Sequence, residues 1–232
     1  MTIDFTKAGP LSLLEKSSQK GLGRGNLGVL IARAGVGKTA CLIHIALYKL
    51  LRGEKLVHIS LEDSPEKITA YYQVIFSDRV NAVGIKNEQE MKTLIEGHRM
   101  ILAYLNQSFQ INRLQENLKN LADKIGYVPD ALVVDGLNFT KAGKEVFQGF
   151  QEIARASQVE VWFSALSHRH IPEVNERGIP YPCNELDELF DIIMQLEPTQ
   201  SAVLLKLLKD HENQVAADSH VKLDPKTFLA MG

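Results

Sequence analysis

The stretch Leu27-Gly28-Val29-Leu30-Ile31-Ala32-Arg33-Ala34-Gly35-Val36-Gly37-Lys38-Thr39-Ala40 decides how the rest of this chain is read. Residues 27–31 are apolar enough for a buried strand, a glycine-bearing turn follows, and residues 39–51 read as a helix. Residues 32–39 fit the phosphate-loop pattern G-x-x-x-x-G-K-[ST], with Ala32 standing where the first glycine is usual. A loop of this kind points successive backbone N–H groups, together with the positive end of the following helix, at a polyphosphate. On this reading Ala34, Gly35, Val36, Gly37, Lys38, Thr39 and Ala40 cradle the phosphates. Lys38 reaches the β- and γ-phosphates and the Thr39 hydroxyl ligands Mg²⁺.

Composition sets the outer limits. The chain has 232 residues, 45% hydrophobic and 23% charged, so it has material for a substantial core, and residues 1–232 are expected to form one domain. A formal charge of −2 gives no global pull toward nucleic acid or an anionic membrane, although a local basic patch is still allowed. Only Cys41 and Cys183 are present, and Cys41 falls inside the predicted helix, which argues against a disulfide framework or a zinc cluster and fits a reducing cytoplasm. No apolar run approaches the roughly 18 residues of a membrane span. Residues 1–10 lack the hydrophobic core of a signal peptide.

Outward from the loop, the pattern alternates. A short helix is expected at 10–16, then a glycine-rich entry, Gly21-Leu22-Gly23-Arg24-Gly25, that either shapes one wall of a nucleotide pocket or is a plain turn. Strands are predicted at 55–60, 100–105, 131–135 and 159–165, and helices from Ser64 onward, at 87–96, at 111–125 and at 145–156. Strands and helices alternating at these intervals predict an α/β fold with a mainly parallel sheet covered on both faces, ligands binding at the carboxyl edge. A polar loop of unusual length runs from Leu166 to Glu188. Three further strands, at 191–196, 202–208 and 220–223, are expected to be antiparallel and edge-like.

Two carboxylates stand out. Asp135 ends the apolar run Ala131-Leu132-Val133-Val134, the placement of the acidic residue that holds the metal in phosphate-loop NTPases; the alternative is an aspartate capping a turn before Gly136. Glu62 sits just past a strand expected to neighbour the phosphate-loop strand, where a base could orient water toward the γ-phosphate; the alternative is a solvated turn glutamate, and Asp63 is a competing candidate.

These residues carry a resemblance. Gly-Leu-Gly-Arg-Gly-Asn-Leu-Gly from Gly21, the phosphate loop, Arg-Gly-Glu-Lys-Leu-Val-His-Ile-Ser-Leu-Glu-Asp-Ser-Pro-Glu-Lys-Ile from Arg52, and Ala-Leu-Val-Val-Asp-Gly from Ala131 together resemble the RecA-fold ATPases, closest to the KaiC/RadA and DnaB-like helicase branch. The resemblance implies ATP and Mg²⁺ as ligands, Glu62 as the group that activates the hydrolytic water, and a ring or filament, a hexamer being the family-based guess, with nucleotide between subunits. It also implies a basic residue reaching the γ-phosphate from a neighbouring copy. Lys209 matches the lysine of the expected Lys-x-Arg element, while His211 stands in place of its arginine. A histidine is mostly neutral at pH 7 and lacks the guanidinium fork. The glutamine that many relatives use to sense γ-phosphate is also absent; Ser167 or His168 occupies its neighbourhood.

The loop 168–182 occupies the place of a DNA-contacting loop in this fold, and His168, Arg169, His170 and Arg177 could touch phosphates, though Glu173 and Glu176 offset the arginines. His168 and His170, without a nearby carboxylate or cysteine pattern, do not make a metal site. Tyr71, Tyr72 and Phe109 are expected to pack against the sheet. The expected function is Mg²⁺-dependent ATP binding and hydrolysis, in DNA recombination, repair or replication, or in a KaiC-like regulatory or degenerate nucleotide-binding role without DNA.

Overall fold

The computed structural model describes residues 9–16, 21–83, 87–168, 171–216 and 218–231. Strand β1 (Leu27–Ala32) is buried along its whole length, as an apolar run must be when both faces of its sheet are covered. It joins β2 (Leu56–Ser60), β3 (Arg99–Ala103), β4 (Ala131–Asp135), β5 (Glu160–Leu166), β6 (Ile192–Pro198), β7 (Val203–Asp210) and β8 (His220–Leu223) in one sheet of order β3-β2-β4-β5-β1-β6-β7-β8. The strands from β3 through β6 run parallel, and β7 and β8 close the sheet antiparallel.

Helices α1 (Lys38–Leu50), α2 (Pro65–Val83) and α3 (Glu88–His98) cover one face, where Leu42, Ile45, Tyr72, Ile95 and Trp162 share a core. Helices α4 (Ile111–Ile125) and α5 (Lys144–Ser157) cover the other, over Leu114, Phe147, Phe150 and Phe163. Ser64 accepts the Lys67 N–H at 3.4 Å and so starts α2, as the sequence suggests. Phe139, in the loop after β4, lies 4.7 Å from Phe147 and 6.0 Å from Phe190 between ring centroids, which pins that loop to the second core. No helix among the described residues is long and apolar enough to cross a membrane.

Four expectations change. Strand β6 is an interior strand that pairs parallel with β1, register Gly28 with Ile192, and only its far side is antiparallel. Composition shows a strand there but carries no sign of its neighbour's direction. Strand β2 does not neighbour β1, since β4 and β5 lie between them. The glycine segment 21–25 walls no phosphate site. It lies at the amino edge of the sheet, where Gly25 N–H donates to Val159 O at 3.0 Å and Arg24 pairs with Asp130 at 2.6 Å. Tyr72 is buried as expected, but Tyr71 is 36% exposed with the Lys67 ammonium over its ring.

Candidate nucleotide site

From the end of β1 the chain turns through exposed Arg33, Ala34 and Gly35. Gly37 then starts α1 in the left-handed region, φ 100° and ψ 33°. A β-carbon at Gly37 would stand 2.1 Å from Phe228 Cζ, so both backbone and packing demand glycine. The first N–H of the helix to reach a carbonyl is that of Cys41, on Gly37 O at 3.0 Å. The amides of Lys38, Thr39 and Ala40 therefore have no intrahelical acceptor, and the helix dipole adds positive character at the same end.

Asp135 closes β4 and is 7% exposed. Its Oδ2 accepts from Thr39 Oγ1 at 2.7 Å and its Oδ1 from Ser164 Oγ at 2.5 Å. Ser164 lies on β5, the strand between β4 and β1, and also accepts the Gly136 N–H at 3.2 Å. Two hydroxyls from adjacent elements thus fix one carboxylate opposite the start of α1. Lys38 is half-buried and forms no hydrogen bond or ion pair with the described residues. Burial holds its ammonium below the usual lysine value, opposed by the charges of Asp135 and then Glu62. An unshared, partly desolvated cation beside unpaired amides favours an anion.

Glu62 is exposed at the end of β2. Although β2 is remote from β1, it is the direct neighbour of β4, and the Leu61 N–H donates to Asp135 O at 3.0 Å. Gly136, at φ 80°, leaves room for the Glu62 stem: a β-carbon there would lie 2.7 Å from Glu62 Cγ and 3.1 Å from Glu62 Cβ. Asp63 is engaged elsewhere, taking the Lys67 ammonium at 2.6 Å. The structure therefore brings together Lys38, Thr39, Asp135 and Glu62. The Thr39 hydroxyl and Asp135 carboxylate are the hard oxygen donors that suit Mg²⁺, which takes few protein ligands and keeps waters and phosphate oxygens for the rest.

Lys209 is not part of this constellation. It pairs in register with Ile193, near the amino end of the parallel strands, and its ammonium donates to Asp187 O at 2.7 Å. The side chain is buried, and burial, then Arg177, holds its pKa below the usual lysine value. His211 is built into its own chain as well, with Nδ1 2.9 Å from Asp210 Oδ1 and Nε2 3.1 Å from Leu22 O. Ser167 lies at the correct edge for a sensor, its N–H donating to Ala32 O at 3.0 Å. In the loop 168–182, Arg177 pairs with Asp187 at 3.2 Å, while Arg169 and His170 fall outside the described residues.

Over 93% of its length the chain superposes on 86% of a solved structure of an ATPase domain, with a TM-score of 0.67 and 15% identity. Its fold is the RecA-like ATPase fold. A probable plasmid replicative DNA helicase of Chlamydia psittaci is 29% identical over 216 residues; the match takes in 84% of this chain and 45% of that protein, so the chain spans less than half the length of the relative. No family model matches it. Two side chains that the structure places at this RecA-like site, Ser164 and Phe228, carry little or no signal in the sequence. Ser164 left a faint signal, as the one polar residue in Val161-Trp162-Phe163-Ser164-Ala165. Phe228 belongs to no pattern at all.

Proposed function

We propose that the chain is an ATPase module that binds ATP with Mg²⁺ and hydrolyses the β–γ phosphoanhydride. The observation that carries this reading is the 2.7 Å bond between Thr39 and Asp135 at the mouth of the glycine loop, with the Lys38 ammonium feeling the negative charges of Asp135 and then Glu62. Lys38 and the amides of residues 34–40 bind the phosphate oxygens, and Thr39 and Asp135 hold the cation. Glu62 orients the attacking water and accepts its proton as the bond to ADP breaks. A Mg²⁺ ion held by Thr39 and Asp135 would supply neutralisation of charge on the phosphate oxygens.

The similarity to a probable plasmid replicative DNA helicase supports a role on DNA during replication, and the family resemblance carried by the sequence motifs implies copies of the chain arranged as a hexamer or filament. In that arrangement Lys209, at the edge of the sheet away from its own loop, acts on the nucleotide of a neighbour. A second reading, a nucleotide-gated regulatory module with slow turnover, is favoured by the occupation of Lys209 by Asp187 O.

ATP turnover measured against protein concentration, with and without single-stranded DNA, separates the two. Turnover per chain that rises with concentration and with DNA supports the first; slow turnover indifferent to both supports the second. Lys38→Ala is expected to weaken nucleotide binding roughly 10- to 100-fold, the worth of a hydrogen bond to a charged group. Glu62→Gln is expected to bind as the parent does and to lose turnover. Parental hydrolysis by Glu62→Gln would remove Glu62 from the mechanism.

A further inference from the structure

Asn106 stands in the short 3-10 turn Asn106–Ser108 that follows the edge strand β3. Its half-buried side chain joins three segments of the chain. Nδ2 donates to Gly136 O at 2.7 Å and to Leu61 O at 3.2 Å, and Oδ1 accepts the Asn138 N–H at 3.2 Å. Leu61 is the residue before Glu62, Gly136 the residue after Asp135, and Asn138 lies on the loop that Phe139 pins to the core. The ladder between β2 and β4 ends at the pair Ser60 and Asp135, followed by the single bond from Leu61 N–H to Asp135 O. Beyond that point the two strand ends have no further backbone rung, and the Asn106 amide supplies one by donating to both carbonyls.

We infer that Asn106 is a positioning residue that sets Glu62 relative to Asp135, and through Asn138 ties both to the loop at 136–143. The inference rests on the reading of Glu62 as the group that orients water. Only a carboxamide can perform the task at this site. Its two N–H donors meet two carbonyl oxygens and its oxygen meets an amide, whereas an aspartate would set a carboxylate against two carbonyls and a leucine would leave all three groups unpaired. The loss of this rung leaves Lys38, Thr39 and the loop amides untouched, so nucleotide binding and turnover separate. A carboxylate displaced by even 1 Å from its working position costs on the order of 100-fold in rate.

The test is a cycle of four proteins: parent, Asn106→Ala, Glu62→Gln and the double variant, compared in ATP turnover and in equilibrium binding of a fluorescent ATP analogue. Asn106→Ala, and Asn106→Asp beside it, are expected to lower kcat by roughly 10- to 100-fold and to leave nucleotide affinity within about twofold. In the Glu62→Gln background the same change is expected to cost under about threefold, because the group it positions is already gone. Equal losses in both backgrounds, or a loss of affinity matching the loss of rate, overturn the inference and leave Asn106 a general structural residue. Parental turnover by Glu62→Gln overturns the reading of Glu62 itself and the inference with it, whereas parental turnover by Asn106→Ala beside a slow Glu62→Gln overturns the inference alone. Hydrogen exchange gives a readout independent of rate. Asn106→Ala is expected to raise exchange at 61–63 and 136–138 while 38–42 stays as in the parent, and unchanged protection at both segments refutes the positioning role.

Discussion

Replacing Gly136 by alanine strikes the relation between the two carboxylates without touching either. The added methyl would lie 2.7 Å from Glu62 Cγ and 3.1 Å from Glu62 Cβ, where ordinary carbon contacts begin near 3.5 Å. Rotating the Glu62 side chain moves Cγ but not Cβ, so about 0.4 Å of the overlap must be taken up by the backbone of the β2 turn or of Gly136 itself, and the carboxylate leaves its place beside Gly136. The φ of 80° adds roughly 1–2 kcal/mol of strain for any L residue. Thermal unfolding, followed by circular dichroism, is therefore expected to shift down by about 2–8 °C, at the 2–4 °C per kcal/mol usual for this chain length. Steady-state hydrolysis of ATP is expected to fall by about 100-fold, with nucleotide affinity retained. A folded Gly136→Ala protein that hydrolyses ATP at the parental rate would falsify the placement of Glu62 beside Asp135 as a requirement for turnover.

Stability should depend on pH in a window set by buried histidines. Burial lowers His44 to about 3 and His58 to about 4, against an unfolded value of 6.5. Their contribution is thus complete above pH 6.5 and is lost as pH falls through 6.5 toward those folded values, at a slope of up to about 2.7 kcal/mol per pH unit for two protons. Urea midpoints at pH 7.5 and 5.5 test this, and equal stabilities at the two would contradict it. Asp135→Asn keeps an acceptor for Thr39 and removes the charge, so titration of Mg²⁺ against turnover is expected to shift its midpoint upward by roughly tenfold or more, while an unchanged midpoint would place the cation elsewhere. Phe228→Ala is expected to cost about 3–5 kcal/mol as a core truncation and to weaken nucleotide binding as well, measured by denaturation and by calorimetry.

What the sequence disclosed and what it withheld have a common physical basis. The loop at 32–39, strand β4 and Asp135 were legible because glycine at forced dihedrals and unbroken apolar runs are local signatures, complete within about ten residues. Helix α4 matched its expected span of 111–125 for the same reason, its apolar stripe being periodic. The pairing of β6 with β1, the remoteness of β2 from β1 and the location of the glycine segment at 21–25 depend on how distant segments stack, and no short window records that. Glu62 reached the site by a different neighbour from the one expected, because the carboxyl ends of β2 and β4 meet regardless of where β1 lies. Ser164 and Asn106 are single polar side chains whose roles exist only through their partners, 29 and 30 or more residues away in the chain.

Phe228 rests against Gly37 and, at 6.4 Å, beside the His44 ring on the same helix. It is held there by a tight turn in which Asp224 accepts the N–H groups of Lys226 and Thr227. The glycine loop and the turn at 224–228 therefore meet where Gly37 packs on Phe228. By linkage, whatever free energy the turn contributes to keeping the loop in its binding shape is returned to the turn when the loop is filled. On the proposed nucleotide reading, amide protection at 224–228 is expected to rise when the loop at the other end of the sequence is filled, and protection unchanged by ATP would show the turn and the loop to be independent.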